Sequence, residues 1–109
     1  MVINLDMVGR LDDLAPTLRL SRCPGVNVDP LLAENAGIKV RLDEEGETVN
    51  DYTAFCDAGY QAISITTGLH SDYHRIGDTP DKLNYPGMAR VVDWCESMVR
   101  TKVSAMMGL

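Results

Sequence analysis

The sequence AISITTGLHSDYHRIGDTPDKL, residues 62–83, joins a short apolar run to a polar loop. The run at residues 62–66 is rich in β-branched side chains and predicts a buried strand. The loop at residues 67–83 contains both histidines of the chain, His70 and His74, and three of its sixteen acidic residues. A polar loop after a buried strand is where α/β proteins commonly place binding and catalytic side chains. This stretch therefore predicts an α/β protein whose chemistry lies at the carboxyl end of a strand.

Patterns on either side of this stretch predict the remaining elements. Apolar and alternating runs predict strands at residues 2–8, 17–21 and 38–42. Short helices are predicted at residues 29–37 and 52–58, each ending at a glycine. A long C-terminal helix is predicted from about Pro86 to Met106, and its core positions are Met88, Val91, Val92, Cys95, Met98, Val99, Val103 and Met106. The order of elements predicts an α/β sandwich, in a single domain over residues 1–109.

Charge and composition exclude several classes of partner. The net charge of −6, with no cluster of Lys and Arg, argues against nucleic acid, because phosphate contacts require basic side chains. The same charge argues against an anionic membrane surface, and no apolar run approaches the roughly 20 residues of a membrane span. The chain enters a strand directly at Met1 without the basic region of a secretory signal, which suggests a chain cut from something longer. The compartment stays open, because a leader could belong to an upstream segment.

The three cysteines, Cys23, Cys56 and Cys95, are widely spaced and form no Cys-x-x-Cys pair. An odd and sparse set is weak evidence for a disulfide framework, so buried free thiols are expected. Cys56 and Cys95 lie at helical core spacing with no histidine nearby in the sequence. Packing is therefore favoured over nucleophilic catalysis for both.

The two histidines are four residues apart, with Asp72 between them. On a helix this spacing would place both imidazoles on one face, as a metal site requires. Gly68 and Gly77 make a regular helix unfavourable, so the spacing alone favours histidines that simply hydrogen-bond the loop. A third possibility is an independent metal site formed by His70, Asp72 and His74.

Acidic side chains elsewhere offer two further candidates. Asp6 is a carboxylate at the end of a largely apolar strand, where burial is costly unless the group is paired or binds a metal. The alternative is a capped or solvated aspartate at a strand end. Glu44 and Glu45 would suit a general base beside a ligand, but they lie in an acidic loop next to Gly46. A solvated turn is favoured there, and the pair is assigned no catalytic role.

Two separated blocks of sequence resemble a known family. Residues 3–11 read INLDMVGRL, and residues 66–74 read TTGLHSDYH, continuing through DTPDKLNY at residues 78–85. In this order and spacing the chain resembles the C-terminal half of the co-catalytic dizinc aminopeptidases, of the bacterial leucyl aminopeptidase and aminopeptidase Y type. The likeness runs from residue 2 to about residue 100. It implies a three-layer α/β sandwich with a partial mixed sheet and flanking helices, as a fragment of a zinc-exopeptidase, phosphorylase/hydrolase-like fold. Specifically, it implies the C-terminal portion of the catalytic domain.

The resemblance also implies roles for single residues. The family pattern has five metal-binding residues and one general base, and Asp6 and His74 match two of the ligands, one for each of two zinc ions. His70 is not a ligand in that pattern. Two zinc ions would activate a shared water and polarise the scissile carbonyl. Asp72 and Asp78 are candidate hydrogen-bond acceptors that would orient the ring of His74 as a ligand.

Two residues are candidates for the substrate pocket. Met7, next to Asp6, is expected to line the pocket for an apolar first side chain or else to pack in the core. Asp51 lies in Asn50-Asp51-Tyr52, where many relatives read Ser-Asp-His. That departure puts local substrate contacts in doubt but removes no metal ligand.

The resulting prediction is the C-terminal part of a zinc-dependent aminopeptidase that hydrolyses N-terminal residues from peptides. The other ligands and the general base of the family pattern are missing from this chain, so weak or absent zinc binding and no turnover are expected, with no catalytic residue in the chain itself. The alternative is a non-catalytic interaction module, or a degenerate peptidase-like domain that pairs with another chain. The partner would be a missing N-terminal half or a second copy, joined through an open strand edge.

Overall fold

The computed structural model describes residues 1–43, 51–106 and 108. Its centre is a strand, Ala62–Thr66, of which the first four residues are buried. Three more strands among the described residues join it in the sheet. In chain order the four are β1 (Val2–Leu5), β2 (Thr17–Arg22), β3 (Lys39–Leu42) and β4 (Ala62–Thr66). Strand β4 pairs parallel with β1 and antiparallel with β2, and β2 pairs parallel with β3, which gives the order β1-β4-β2-β3. The predicted α/β fold with a mixed sheet and flanking helices is confirmed, and the arrangement is consistent with an α/β sandwich.

The pairing of β1 with β4 explains the polar interruption in β1. Ile3 lies opposite Ile63 and Asn4 lies opposite Ser64 in the parallel register. Asn4 Nδ2 donates a hydrogen bond to Ser64 Oγ at 3.3 Å, so the buried hydroxyl of Ser64 has a partner. Strand β1 ends at Leu5, three residues earlier than predicted, because Met7 adopts a left-handed backbone with φ of 55°.

The helices include α1 (Tyr52–Asp57) and a long C-terminal segment made of α2 (Tyr85–Met98), a π-helical turn (Val99–Val103) and α3 (Ser104–Met106). The predicted long helix is confirmed, with a π turn inside it. Asn84 caps its start through an Oδ1 that accepts the Gly87 N–H at 3.0 Å. No helix among the described residues is both long enough and apolar enough to cross a membrane.

The buried face of α2 differs from the predicted one. The side of α2 that packs on the core carries Val91, Trp94 and Met98, and Trp94 was missing from the predicted set. Val92 and Val99, which were predicted to be core residues, are 59% and 41% exposed. In a helical projection, apolar residues beside the buried face look like part of that face. Only the packing against the neighbouring sheet decides how wide the covered face is.

The predicted helix at residues 29–37 is wrong. Only Asp29–Leu31 is helical, as one 3₁₀ turn with Leu31 fully buried. Asn35 and Ile38 instead exchange backbone hydrogen bonds of 3.1 and 2.9 Å, and the two residues between them, Ala36 and Gly37, both have positive φ. Two consecutive residues with positive φ form a tight reversal that leads into β3 and is incompatible with a helix.

The prediction of three free thiols is also wrong, because Cys23 and Cys56 form a disulfide with a Cα–Cα distance of 5.4 Å. The bond joins the residue that follows β2 to α1, and the backbone N–H of Ala62 donates to Cys23 Sγ. Cys95 is the one free cysteine. Cys56 and Cys95 both pack against the core, as predicted.

One cluster of buried apolar residues unites the sheet, α1 and α2, and its fully buried members include Leu18, Leu20, Ile65 and Val91. Glu44 and Glu45, predicted to lie in a solvated acidic turn, fall outside the described residues. The assignment of residues 1–109 to a single domain stays a prediction.

Candidate functional site

The candidate site lies where β1 and β4 end side by side. Because the two strands run parallel, their carboxyl ends meet at one edge of the sheet, and the loops that follow them are neighbours. The carbonyl oxygen of Met7 accepts hydrogen bonds from the Thr66 hydroxyl at 3.1 Å, the Thr67 hydroxyl at 2.8 Å and the Thr67 N–H at 3.0 Å. These three bonds join the segment after β1 to the start of the loop at residues 67–83.

A cavity of about 310 Å³ opens between these two segments. Its lining is mainly apolar, with a few polar groups that converge on it, as small-molecule sites usually are. The lining residues are Met7, Gly9, Arg10, Thr67, His70, Tyr73, His74, Asp78 and Leu83. Three predicted site residues, Met7, His74 and Asp78, therefore face the same space.

Two of the lining residues have unusual backbones. Met7 and His74 adopt φ of 55° and 56°, and both are non-glycine residues. Such conformations cost about 1–3 kcal/mol and persist only where the surrounding structure holds them. The His74 ring lies against the Tyr73 ring at an interplanar angle of 47°, with the ring centroids 3.9 Å apart. Strain on both sides of one cavity is typical of a site whose geometry matters.

An arginine connects the two segments electrostatically. Arg10 Nη1 contacts Asp72 Oδ2 at 2.9 Å, and Arg10 Nη2 contacts Asp78 Oδ1 at 2.8 Å. Lys82 Nζ adds a second cation to Asp72 at 3.0 Å. The hydrogen bonds from Arg10 and then from Lys82 lower the pKa of Asp72, and the hydrogen bond to Asp72 raises the pKa of Arg10. Asp72 and Arg10 are therefore both charged at neutral pH.

His70 occupies a different environment from His74. Its side chain is 17% exposed, and its Nε2 lies 3.9 Å from Asp78 Oδ2. Its Nδ1 is buried with no hydrogen-bond partner among the described residues. His74, in contrast, is exposed at the cavity. The two histidine side chains therefore have different neighbours, Asp78 beside His70 and Tyr73 beside His74.

The remaining predicted residues lie around the cavity or away from it. Asp6 is exposed just beyond β1, where its backbone N–H donates to the Ile65 carbonyl at 3.1 Å, and it is not among the residues that line the cavity. Asp72 supports the loop through Arg10 and Lys82. Asp51 is exposed at the N-terminal end of α1, and its side chain makes no capping hydrogen bond to that helix.

A zinc ion would need more ligands than the described residues supply. Across residues 1–43, 51–106 and 108, no group of three or more His, Cys, Asp or Glu side chains converges as metal ligands. Catalytic zinc sites usually have about three protein ligands. The carboxylate of Asp6 and the imidazole of His74 are suitable zinc donors, but two donors fall short of a site. The independent metal site of His70, Asp72 and His74 is likewise absent, because these side chains face Asp78, Arg10 and Tyr73 respectively.

Sequence reasoning missed three residues of this site. Arg10, Thr67 and Tyr73 line the cavity, and Arg10 and Thr67 also join its two segments, yet none carried a candidate role. Their positions could have identified them, since all three fall inside the two sequence blocks that resemble one family. An arginine followed far along the chain by two aspartates six residues apart gives no local pattern that predicts an ion pair.

Comparison with known proteins gives one match. The family model of peptidase family M28 matches residues 1–99, which is most of the chain. The match contains both segments that form the cavity. Comparisons with curated proteins and with solved structures found no match.

Proposed function

This chain belongs to peptidase family M28, and from that premise we propose that it supplies part of the active site of a dizinc aminopeptidase. Membership of the family makes it a domain related to zinc-dependent peptidases. The proposal is narrower, because it assigns the leucyl aminopeptidase and aminopeptidase Y type and the removal of N-terminal residues from peptides. Asp6 and His74 would each bind one of two zinc ions.

One observation carries the proposal: Asp6 and His74 both follow strands whose carboxyl ends are adjacent. The parallel pairing of β1 with β4 supports a shared site at this edge of the sheet. The three hydrogen bonds to the Met7 carbonyl bring the residue next to Asp6 against the loop that carries His74. When bound, zinc would polarise the substrate carbonyl and activate a water, which is the chemistry that peptide hydrolysis needs.

The cavity suits an apolar side chain at the substrate's N-terminus. Met7, Tyr73 and Leu83 contribute apolar surface to its lining. A volume of about 310 Å³ is at the lower end of ordinary ligand pockets and can hold a single large side chain. Burial of such a side chain would contribute about 1.5–3 kcal/mol to binding.

The isolated chain is proposed to bind zinc weakly and to hydrolyse nothing. Two donors of suitable type, with no general base assigned among residues 1–43, 51–106 and 108, are too few for either tight binding or turnover. The missing groups would come from outside the described residues.

Zinc titration of the metal-stripped 109-residue chain tests this proposal. His74→Gln and Asp6→Asn should abolish the weak binding, whereas His70→Gln, four residues from His74, should leave it unchanged. An aminoacyl anilide should not be hydrolysed before or after metal is added. Tight zinc binding with hydrolysis would contradict the proposal, as would loss of binding in His70→Gln alone.

A second candidate function is an interaction module without catalysis. Strand β1 lies at one edge of the sheet, and Leu5, which is 41% exposed, faces a mainly apolar groove with Val92, Cys95 and Val99 of the C-terminal helix. An open strand edge beside exposed apolar side chains favours pairing with a strand of another polypeptide. The proposed partner is a second copy or the remaining part of a peptidase domain.

Light scattering over a range of concentrations separates the two candidates. Self-association through this edge should be lost in Leu5→Lys and kept in Leu14→Lys, because Leu14 is 97% exposed and lies outside the groove. Equal effects of the two variants would contradict an interface at β1. Zinc binding that is unchanged by either variant would leave the peptidase proposal intact.

A further inference from the structure

Arg10 occupies an unusual position in the site. Its side chain is only 21% exposed, and its two terminal nitrogens contact two different carboxylates, Asp72 and Asp78. Its backbone N–H also approaches the Thr67 hydroxyl at 3.4 Å. One residue of the segment after β1 is thus attached to the start, the middle and the later part of the loop at residues 67–83.

The two carboxylates lie on either side of His74 in the chain. Asp72 precedes it by two residues and Asp78 follows it by four. Between them the loop keeps His74 at φ of 56°, a backbone conformation that only a few per cent of non-glycine residues adopt. The backbone bonds within this turn, Arg75 N–H to the Asp72 carbonyl at 2.9 Å and Asp78 N–H to the Arg75 carbonyl at 3.1 Å, are local and do not attach it to the sheet.

We propose that Arg10 is a positioning residue that holds the His74 imidazole at the cavity by bridging Asp72 and Asp78. The bridge fixes both ends of the turn to the segment that follows β1, and so it fixes where the ring of His74 lies. The inference rests on the proposed function only for the role of His74 as a zinc ligand. The position of the ring is a property of the protein itself.

Arginine is suited to this task and lysine is not. The planar guanidinium presents several N–H donors in fixed directions, so one side chain can hold two carboxylates at a set separation. Lys82 contacts Asp72 in the structure, which illustrates the point contact that an ammonium makes. We therefore expect Arg10→Lys to keep the charge and to lose the bridge.

Proton NMR of the histidine rings tests the proposal without any metal. In the native chain the His74 ring protons should be displaced from their random-coil shifts by the ring current of Tyr73, whose centroid is 3.9 Å away. Arg10→Ala and Arg10→Lys should both move these resonances toward random-coil values. Added guanidinium chloride at low millimolar concentration should restore the native shifts in Arg10→Ala, whereas sodium chloride at the same concentration should not.

The matched control is Arg100→Ala. Arg100 also forms an arginine–carboxylate pair, with Glu96 at 3.0 Å, but the pair is exposed on the C-terminal helix. Its removal should leave the His74 resonances unchanged. Native shifts of the His74 ring in Arg10→Ala would overturn the proposal. If Arg10→Ala unfolds, the same criterion applies to Arg10→Lys, in which native shifts would overturn it equally.

Zinc binding distinguishes this inference from the proposed function. Loss of groups that orient a metal-binding histidine typically weakens metal affinity by 10–100-fold, and we expect a loss of this size in Arg10→Ala. Displaced His74 resonances in Arg10→Ala, with no zinc binding by the native chain, would sustain the role of Arg10 and contradict the proposed weak zinc binding by Asp6 and His74. Zinc binding that is equal in the two proteins would overturn the role of Arg10 alone.

Discussion

Asn84 connects three parts of the molecule through one side chain. Its Oδ1 caps the long C-terminal helix, and its Nδ2 donates to the Leu11 carbonyl at 2.9 Å and to Asp13 Oδ1 at 2.8 Å. The helix that covers the sheet and the segment that leads out of the site are therefore held at a single residue. Gly87 approaches this side chain so closely that an added Cβ would lie 2.8 Å from Asn84 Cγ.

Substitution of Asn84 should destabilise the fold. Loss of an N-cap side chain costs about 0.5–2 kcal/mol, and the Leu11 carbonyl also loses its donor. We expect Asn84→Ala to lower the free energy of unfolding by about 2 kcal/mol in urea denaturation. Asn84→Ser keeps a capping oxygen and should lose less. Equal stabilities of the two variants would show that the cap contributes nothing.

Cys95 should react slowly as the one free thiol. Partial burial raises the pKa of the Cys95 thiol, so a smaller fraction is thiolate at any given pH than in an ordinary cysteine. Iodoacetamide should therefore label Cys95 more slowly at pH 8 than it labels a cysteine peptide. Mass spectrometry should find one label per native chain and three after reduction and unfolding. Three labels without reductant would contradict the Cys23–Cys56 bond.

At the scale of elements, that disulfide closes a long loop. Cys23 and Cys56 are 33 residues apart, and the loop between them contains β3 and most of α1. The loop-entropy relation gives about 3–4 kcal/mol of stabilisation for a loop of this length. The double variant Cys23→Ala, Cys56→Ala should lose that amount in denaturant unfolding. Cys95→Ala is the control and should lose less, since it breaks no cross-link.

The two faces of α2 should respond differently to substitution. Trp94 is 2% exposed and Val92 is 59% exposed on the same helix. Trp94→Ala should lower the free energy of unfolding by about 3–5 kcal/mol through the cavity that it leaves. Val92→Ala should change it by no more than about 0.5 kcal/mol. A large loss in Val92→Ala would mean that another polypeptide covers this face in solution.

At the scale of the whole molecule, β1 forms one edge of the described sheet, and its carboxyl end adjoins the site. In the parallel ladder, the backbone N–H groups of Val2 and Asp6 donate to Gln61 and Ile65 carbonyls at 2.8 and 3.1 Å. Alternation along a strand directs the N–H groups of Ile3 and Leu5 away from β4, toward the side of β1 on which no described strand lies. The backbone N–H groups of β1 that are available to a partner strand are therefore those of Ile3 and Leu5.

Hydrogen exchange should reproduce this alternation. The amides of Ile63 and Ile65 in the central strand should be well protected, and those of Ile3 and Leu5 should exchange much faster. A protected Leu5 amide that becomes fast on dilution would indicate a strand partner at this edge. Protection of Leu5 that is independent of concentration would contradict an open edge.

Patterns of short range allowed much of the fold to be predicted. The four strands, α1 and the long C-terminal helix follow from apolar periodicity, capping residues and breakers, which act over a few residues. The helix predicted at residues 29–37 was wrong, because Ala36 and Gly37 turn the chain where local propensity favours a helix. Met7 and His74 were identified as site candidates by resemblance, and the structure places both at one cavity.

The sequence alone determined which segments are apolar enough to be buried and which loop carries the histidines. Only the tertiary structure decided which distant residues meet: Cys23 with Cys56, and Arg10 with Asp72 and Asp78. The physical reason is that a disulfide or an ion pair needs proximity, and proximity depends on the order and direction of strands. Periodicity specifies the face of an element, but the packing of the sheet specifies its neighbours.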